Sequence, residues 1–372
     1  MKIAKPLSRR ILELDLLRGF FIIVIILDHL QFWPSPWQYM TGQGRLWVSA
    51  AEGFFIISGF LIGYLRAYKG ASTPLKSMTK KLLQRAGTLW LWCVIISFAV
   101  VSLSILMPEG SALQPKMPGV EHTANLPSYI WNVVSMNYSS DWIYFLRLYA
   151  IMLAATPLFL WLVRKKLWYV AAGLSLGAYM LVDFGWRSES ALQWQLLFFG
   201  AALVGWKLES ILAWLNKRPA VRQVLTWGLI GVTLATMVLS YFMVHGWTYV
   251  ESPTTSFSRE SYVSIRSHVD PLFSNKPMAP LRVLLSFVWF GGLLMIFHVA
   301  RRHIQRWLGW LLYELGQNSL TAYCLHALML PAVVTYVSGG HNYWLNALVG
   351  AAVVVGIWAI MKIPLTKKIL PR

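Results

Sequence analysis

The residues in this 372-residue chain whose types and spacing could do chemistry begin in its first apolar run, Leu14-Asp-Leu-Leu-Arg-Gly-Phe-Phe-Ile-Ile-Val-Ile-Ile-Leu-Asp-His29. Arg18 and His29 stand eleven positions apart. Eleven helical steps return to within about 20° of one face, about 16 Å further along the axis. One face thus carries a cation at one end and a titratable imidazole deep inside. Asp15 lies one turn from Arg18, close enough to pair, and Asp28 beside His29 either holds the imidazole or faces outer water. The second run, Ala51-Glu-Gly-Phe-Phe-Ile-Ile-Ser-Gly-Phe-Leu-Ile-Gly63, sets Glu52 above a track of Ser58, Gly59 and Gly63. A carboxylate at that depth requires a partner, and His29 on the neighbouring helix is the expected one. The two glycines read as a surface for close helix approach.

Each of these residues also has a plain structural reading. Arg18 fits an interfacial anchor whose stem lies in lipid while its head reaches water, and His29 fits an interhelical hydrogen-bonder. Arg147, Tyr149, Gln193, Gln195, Asn318, Ser319 and His326 are either glue between helices or the lining of a polar interior. Ionisable groups in apolar spans are costly, which weights His29 towards a site.

The elements that must position them are membrane helices. The composition is 57% hydrophobic and only 13% charged, against roughly 25% charged residues in soluble domains, and the mean hydropathy is +0.55. Many of the 20 Trp sit where apolar runs meet polar loops, as an interfacial belt requires. Nucleic-acid binding is disfavoured despite a net charge of +19, because Lys and Arg form short clusters between apolar runs rather than one basic face. Cys93 and Cys324 fall inside apolar runs, so neither a disulfide framework nor a metal site is expected. Lys2, Lys5, Arg9 and Arg10 resemble the positive end of a signal peptide, but no small-residue cleavage site follows, and the run reads as a first membrane helix.

At about 20 residues per crossing, ten spans are expected, near 14–33, 47–65, 86–107, 142–163, 167–183, 191–208, 224–244, 281–300, 316–337 and 344–361. With the N-terminus inside, 25 of the 33 Lys and Arg fall on cytoplasmic segments, which supports an all-α polytopic transmembrane bundle, N-in and C-in, forming one domain over 1–372. Two long polar segments, 108–141 and 245–280, then lie outside as irregular loops. The inner loops are short and basic, giving that face an affinity for membrane lipids of anionic type or for an anionic ligand. Asn137-Tyr-Ser matches a glycosylation acceptor by spacing alone.

The spacing from Arg18 to His29, Ser58-Gly59-Phe60 and Asn318-Ser-Leu-Thr-Ala-Tyr-Cys-Leu-His326 together resemble the acyltransferase 3 superfamily of membrane acyltransferases. Ala50-Ala-Glu-Gly-Phe-Phe-Ile-Ile-Ser-Gly59, Leu148-Tyr-Ala-Ile-Met-Leu-Ala-Ala-Thr-Pro157 and Trp194-Gln-Leu-Leu-Phe-Phe-Gly200 are more similar to its OpgC branch. The resemblance implies a bacterial inner-membrane enzyme that moves an acyl group from cytoplasmic acyl-CoA, without a metal, to hydroxyls of an extracytoplasmic glycan. For that branch the donor is succinyl-CoA and the acceptor a periplasmic glucan; elsewhere in the superfamily the donor is acetyl-CoA. The paired Arg and His map onto Arg18 and His29, and the branch's acidic residue onto Glu52.

In that chemistry His29 is the expected general base, since imidazole titrates near neutrality, with Glu52 or Asp28 orienting it. Ser58, Gln195 and Arg147 are candidate donors to the tetrahedral intermediate, and Arg147, Gln195 and His326 candidate acceptor contacts. Arg18, Lys80, Lys81 and Arg85 form a cytoplasmic cluster suited to phosphate. The same composition also fits a transporter or flippase of a lipid-linked glycan, with His29 and Glu52 relaying protons, or a structural subunit of a larger complex.

Overall fold

The computed structural model describes residues 11–106, 126–139, 141–181, 189–250, 258–337 and 340–371. The helices, in order, are α1 (Leu12–Leu30), α2 (Trp37–Thr41), α3 (Ala50–Leu61) with a π-helical continuation to Tyr68, α4 (Leu75–Leu106), α5 (Leu126–Val134) and α6 (Tyr144–Arg164). They continue as α7 (Trp168–Met180), α8 (Glu189–Trp206), α9 (Leu208–Asn216), α10 (Pro219–His245), α11 (Trp247–Val250) and α12 (Arg259–Val269). The last five are α13 (Pro280–Val299), α14 (Arg301–Gln317), α15 (Ser319–Tyr336), α16 (Tyr343–Lys362) and α17 (Pro364–Ile369).

Among the described residues, seven helices are long and apolar enough to cross a membrane: α3 with its continuation, α4, α6, α10, α13, α15 and α16. The pair α8 and α9, bent by 54°, makes an eighth if it counts as one span. The other two expected spans depart from that standard for different reasons. With 13 residues, α7 reaches only about 20 Å, short of a hydrocarbon core of about 30 Å. Helix α1 has the length but carries Glu13, Asp15, Arg18 and Asp28. Its surroundings explain why it tolerates them, since α3, α13, α14, α15 and α16 all pack around it and Leu16, Leu17, Ile22 and Ile26 are buried. Protein, rather than lipid, solvates its polar side chains.

Close backbone approach fixes α1 and α3 in place. A side chain at Gly19 would collide with the Leu312 carbonyl of α14, and one at Gly316 with the Asp15 carbonyl of α1. Likewise, Gly59 and Gly63 of α3 lie against the backbones of Phe198 and Ala202 in α8, which is the packing role expected of them.

Two stretches differ from the sequence expectation. Residues 301–306 read as a loop before a span from 316, yet α14 forms an amphipathic helix across 301–317, burying Leu311, Leu312, Leu315 and Gly316 while Trp307 and Trp310 stay exposed. The break follows at Asn318, whose backbone leaves the helical region and whose amide donates back to the Glu314 carbonyl at 3.3 Å. Of the segment 245–280, positions 251–257 lie outside the described residues, and the rest includes two helices, α11 and α12. Ser258 caps α12 by accepting from the Ser261 N–H at 3.1 Å, and the buried Tyr262 donates its hydroxyl to the Met243 carbonyl at 2.8 Å. Of the segment 108–141, positions 108–125 and 140 lie outside the described residues, and α5 occupies much of the remainder.

Candidate active site

Helices α1 and α15 run side by side in the same direction, so that Arg18 lies near Ser319 and Leu320 at one end while His29 meets His326 at the other. On α15, Ser319, Tyr323 and His326 fall at positions i, i+4 and i+7, one face of a helix. That face turns to α1 and to the aromatic residues of α6.

At one end His29 Nδ1 lies 2.9 Å from His326 Nε2, with the rings stacked at 5.1 Å between centroids. His326 Nδ1 in turn contacts the Tyr323 carbonyl. A carbonyl can only accept, which assigns the proton on His326 to Nδ1 and leaves its Nε2 as an acceptor in the neutral ring. His29 must then donate from Nδ1, and its own Nε2 carries a lone pair. That atom makes no hydrogen bond among the described residues. His326 is fully buried and Trp142 lies 6.0 Å from the half-buried His29 ring. The arrangement holds a base with a defined tautomer and a shielded back side.

Near the other end, a cavity is lined by Arg18, Arg85, Ser58, Ser319, Tyr149 and Tyr323, with Phe54 and Phe145 as apolar wall. Arg18 Nε is buried and has no hydrogen-bond partner among the described residues. Two guanidinium groups around one hollow, one of them with an unsatisfied donor, fit an anionic ligand. Tyr323 belongs to both places, since it lines the cavity, sets its ring 4.6 Å from the His326 ring at a tilt of 51° and supplies the carbonyl that fixes its tautomer. Sequence reasoning passed over Tyr323 except as part of a motif; its i+4 position from Ser319 and i−3 from His326 is the signal that marks it.

The remaining expected site residues fall in other places. Glu52 does not pair with His29. Its Oε1 accepts from Arg282 Nε at 2.6 Å and lies 2.5 Å from Nη2, while Oε2 accepts from the Ser49 N–H at 3.0 Å and contacts the Ser49 hydroxyl. The carboxylate thereby caps the N-terminus of α3 and ties it to α13. The correction has a sequence cause, because Ser49-Ala-Ala-Glu52 is a capping box and Arg282, 230 positions on, read as the outer edge of a span. Asp28 also turns from the imidazole. It faces Thr41 and the backbone N–H of Gly44, and its Oδ1 is buried with no hydrogen-bond partner among the described residues.

Gln195 is engaged between helices: its amide donates to the Ser175 carbonyl at 2.6 Å and accepts from the Ser175 hydroxyl at 2.6 Å, joining α8 to α7. Arg147 does not line the cavity and points instead to the Asn137 carbonyl at 3.4 Å. Lys80 and Lys81 are exposed on α4, Lys81 one turn from Arg85 on the same face. Ser58 lines the cavity as expected. Among the described residues no group of three or more His, Cys, Asp and Glu is placed to hold a metal ion.

A family model described as OpgC protein matches residues 10–367. No curated protein and no solved structure matches the chain.

Proposed function

The chain belongs to the OpgC family, and from that premise we propose that it is a membrane O-acyltransferase of the acyltransferase 3 type. It takes an acyl group, succinyl by the branch resemblance, from cytoplasmic acyl-CoA and transfers it to a hydroxyl of an extracytoplasmic glucan. In this reading the protein sits in a bacterial cytoplasmic membrane with ten crossings and both termini inside.

The observation that supports it is the pairing of two places on one seam. The Arg18 and Arg85 cavity suits the phosphates and thioester arm of the donor, with Lys80 and Lys81 drawing the anion in along α4. The His29 and His326 pair lies towards the other end of α1, separated from Arg18 by eleven residues or about 16 Å of helix. A pantetheine-like arm can span such a gap, which no side chain could.

The transfer then follows from the tautomers. His29 Nε2 takes the proton from the acceptor hydroxyl as its oxygen bonds to the thioester carbonyl carbon. His326 accepts the His29 Nδ1–H throughout, so the imidazolium that forms is held in place and its charge is spread towards the Tyr323 carbonyl. Collapse of the tetrahedral intermediate breaks the carbon–sulfur bond, and the thiolate leaves with the proton that His29 returns. The Ser58 hydroxyl and the Arg18 guanidinium hold the donor at the far end of the seam while its arm reaches the imidazole.

Purified protein in lipid discs, supplied with acyl-CoA and glucan oligosaccharide, tests the reading. Mass spectrometry of the glucan should show an increment that names the acyl group, and His29→Ala should abolish it. Movement of intact lipid-linked glycan without any acylation would establish the transporter instead.

A further inference from the structure

The outer-loop helix α12 and the turn that follows it build two adjoining hollows at the His29 end of the bundle. One, of about 800 Å³, is lined by Tyr179, Gln193, Arg266, Asp270, Ser274 and Met278 among others. The second, of about 430 Å³, shares Arg266, Asp270 and Ser274 with it and adds Gly44, Trp47 and Arg282. The shared wall makes them two compartments of one cleft.

The chemistry of the lining is that of a ligand with many hydroxyls and no charge. Its ions are compensated within the wall: Arg266 binds Asp270 through Nε at 2.9 Å and Nη2 at 2.8 Å, and Arg282 binds Glu52. Both Arg266 bonds fall on Oδ2 of Asp270, which leaves Oδ1 as an acceptor. Arg45 stands exposed at the rim. One buried polar group in the lining, the Nε1–H of Trp47, has no acceptor among the described residues. Gln193, 5% exposed, adds an amide to the wall. A buried indole N–H is ordinarily satisfied, so this orphan marks a position where something else completes it. Trp47 also lies flat on Phe273 at 4.0 Å and 8°, and Tyr179 is pinned by its hydroxyl to the Met278 carbonyl at 2.6 Å. Rigid aromatic walls with a few placed polar groups fit the apolar faces and hydroxyl edges of sugar rings.

We propose that this cleft, lined by α12 and the turn after it, the loop before α3 and the first turns of α8 and α13, binds the oligosaccharide acceptor. The proposal rests on the acyl-transfer reading above and gives Glu52 its place in it. Glu52 holds Arg282 in the cleft wall, and Gly44, at the rim of the same compartment, packs against Asp28, the neighbour of His29. The acceptor therefore reaches the imidazole along the segment between α1 and α3.

Isothermal titration of the detergent-solubilised full chain with a neutral glucose oligosaccharide tests the site without any reaction. Saturable binding is expected, weakened at least tenfold by Asp270→Ala and by Gln193→Leu. Trp47→Phe keeps the ring on Phe273 and removes only the N–H, so a few-fold loss there reports recognition in a chain that still folds. In the transfer assay the same variants should raise the acceptor KM by similar factors with kcat within about twofold. Wild type that binds inorganic phosphate or citrate but no oligosaccharide overturns the cleft assignment, as do three variants with unchanged affinity and unchanged acceptor KM. Oligosaccharide binding that follows the variants in a protein unable to acylate it would instead remove the transferase reading and leave the cleft standing.

Discussion

The seam between α1 and α15 and the contact between α3 and α13 both bury polar side chains, and they finish them in opposite ways. At α3 and α13 both Glu52 oxygens and two nitrogens of Arg282 are engaged, with the Phe273 carbonyl taking a third at 3.0 Å. At α1 and α15, by contrast, the His29 Nε2 lone pair and Arg18 Nε are left open. Groups closed onto each other fix geometry, whereas groups left open in a dry place keep capacity for something that arrives. The sequence marks both kinds with the same signal, an ionisable residue in an apolar run, and only partner geometry separates them.

The largest test of that contrast is His29→Ala. General-base catalysis contributes roughly 10² to 10⁴ in rate, about 3 to 5 kcal/mol of barrier, so transfer should fall by that factor while the purified yield and thermal midpoint stay near wild type. A destabilised His29→Ala protein would put His29 among the closed groups.

Glu52→Ala should do the reverse. Removing one member of a buried ion pair leaves the other uncompensated, about 3 to 5 kcal/mol of destabilisation, visible as a lowered unfolding midpoint in detergent. The double replacement Glu52→Leu with Arg282→Met should recover much of it, and the pH–rate profile of Glu52→Gln should match wild type, because Glu52 does not touch the imidazole. A shifted profile would restore Glu52 to the catalytic group.

Arg18→Ala comes next. Loss of one charge from the cavity should raise the donor KM about tenfold, ~1.4 kcal/mol, with a smaller change in kcat. Equal loss of kcat at constant KM would move Arg18 into the chemistry. Smallest of all is Gln195→Leu, which removes hydrogen bonds of about 0.6 kcal/mol apiece in a membrane interior; a modest fall in midpoint with donor and acceptor KM unchanged would confirm it as glue between α7 and α8.

What could be read from the residues alone follows the same division. Local rules carried the helical class, the Arg18 and His29 face and the close packing of Gly59 and Gly63, because each depends on spacing within one helix. The partners of Glu52 and His29 were not legible, since they lie 230 and 297 positions away, and no periodicity spans such a distance. Helix α14 was hidden for another reason: its apolar stripe is interrupted by Arg302, Arg306 and Glu314, so a hydropathy window sees a loop where an amphipathic surface exists. In the segment 245–280 the Ser, Thr and Pro content suggested irregular chain, yet Ser258 as cap and the Arg266–Asp270 pair supply what a short helix needs.

Helix α1 is long enough to cross a membrane yet carries four charged residues, Glu13, Asp15, Arg18 and Asp28. Asp28 faces Thr41 and Gly44, but Glu13 is bound by Arg301 of α14, Gly19 and Gly316 interlock, and Arg18 is sheltered beside Ser319 of α15. Those shelters are synthesised almost 300 residues later, as the 297-residue separation of His29 and His326 shows. At about 5 to 20 residues per second, α1 waits of the order of 15 to 60 seconds for its permanent neighbours. Biogenesis of this protein is therefore a problem in timing: a polar helix must be kept at the insertion machinery until α14 and α15 follow, and the two histidines meet only once α15 has been made. A chain halted before Ser319 would hold most of the membrane-spanning scaffold and none of the paired imidazoles, so quality control that senses an unsheltered first helix would also be sensing an absent active centre.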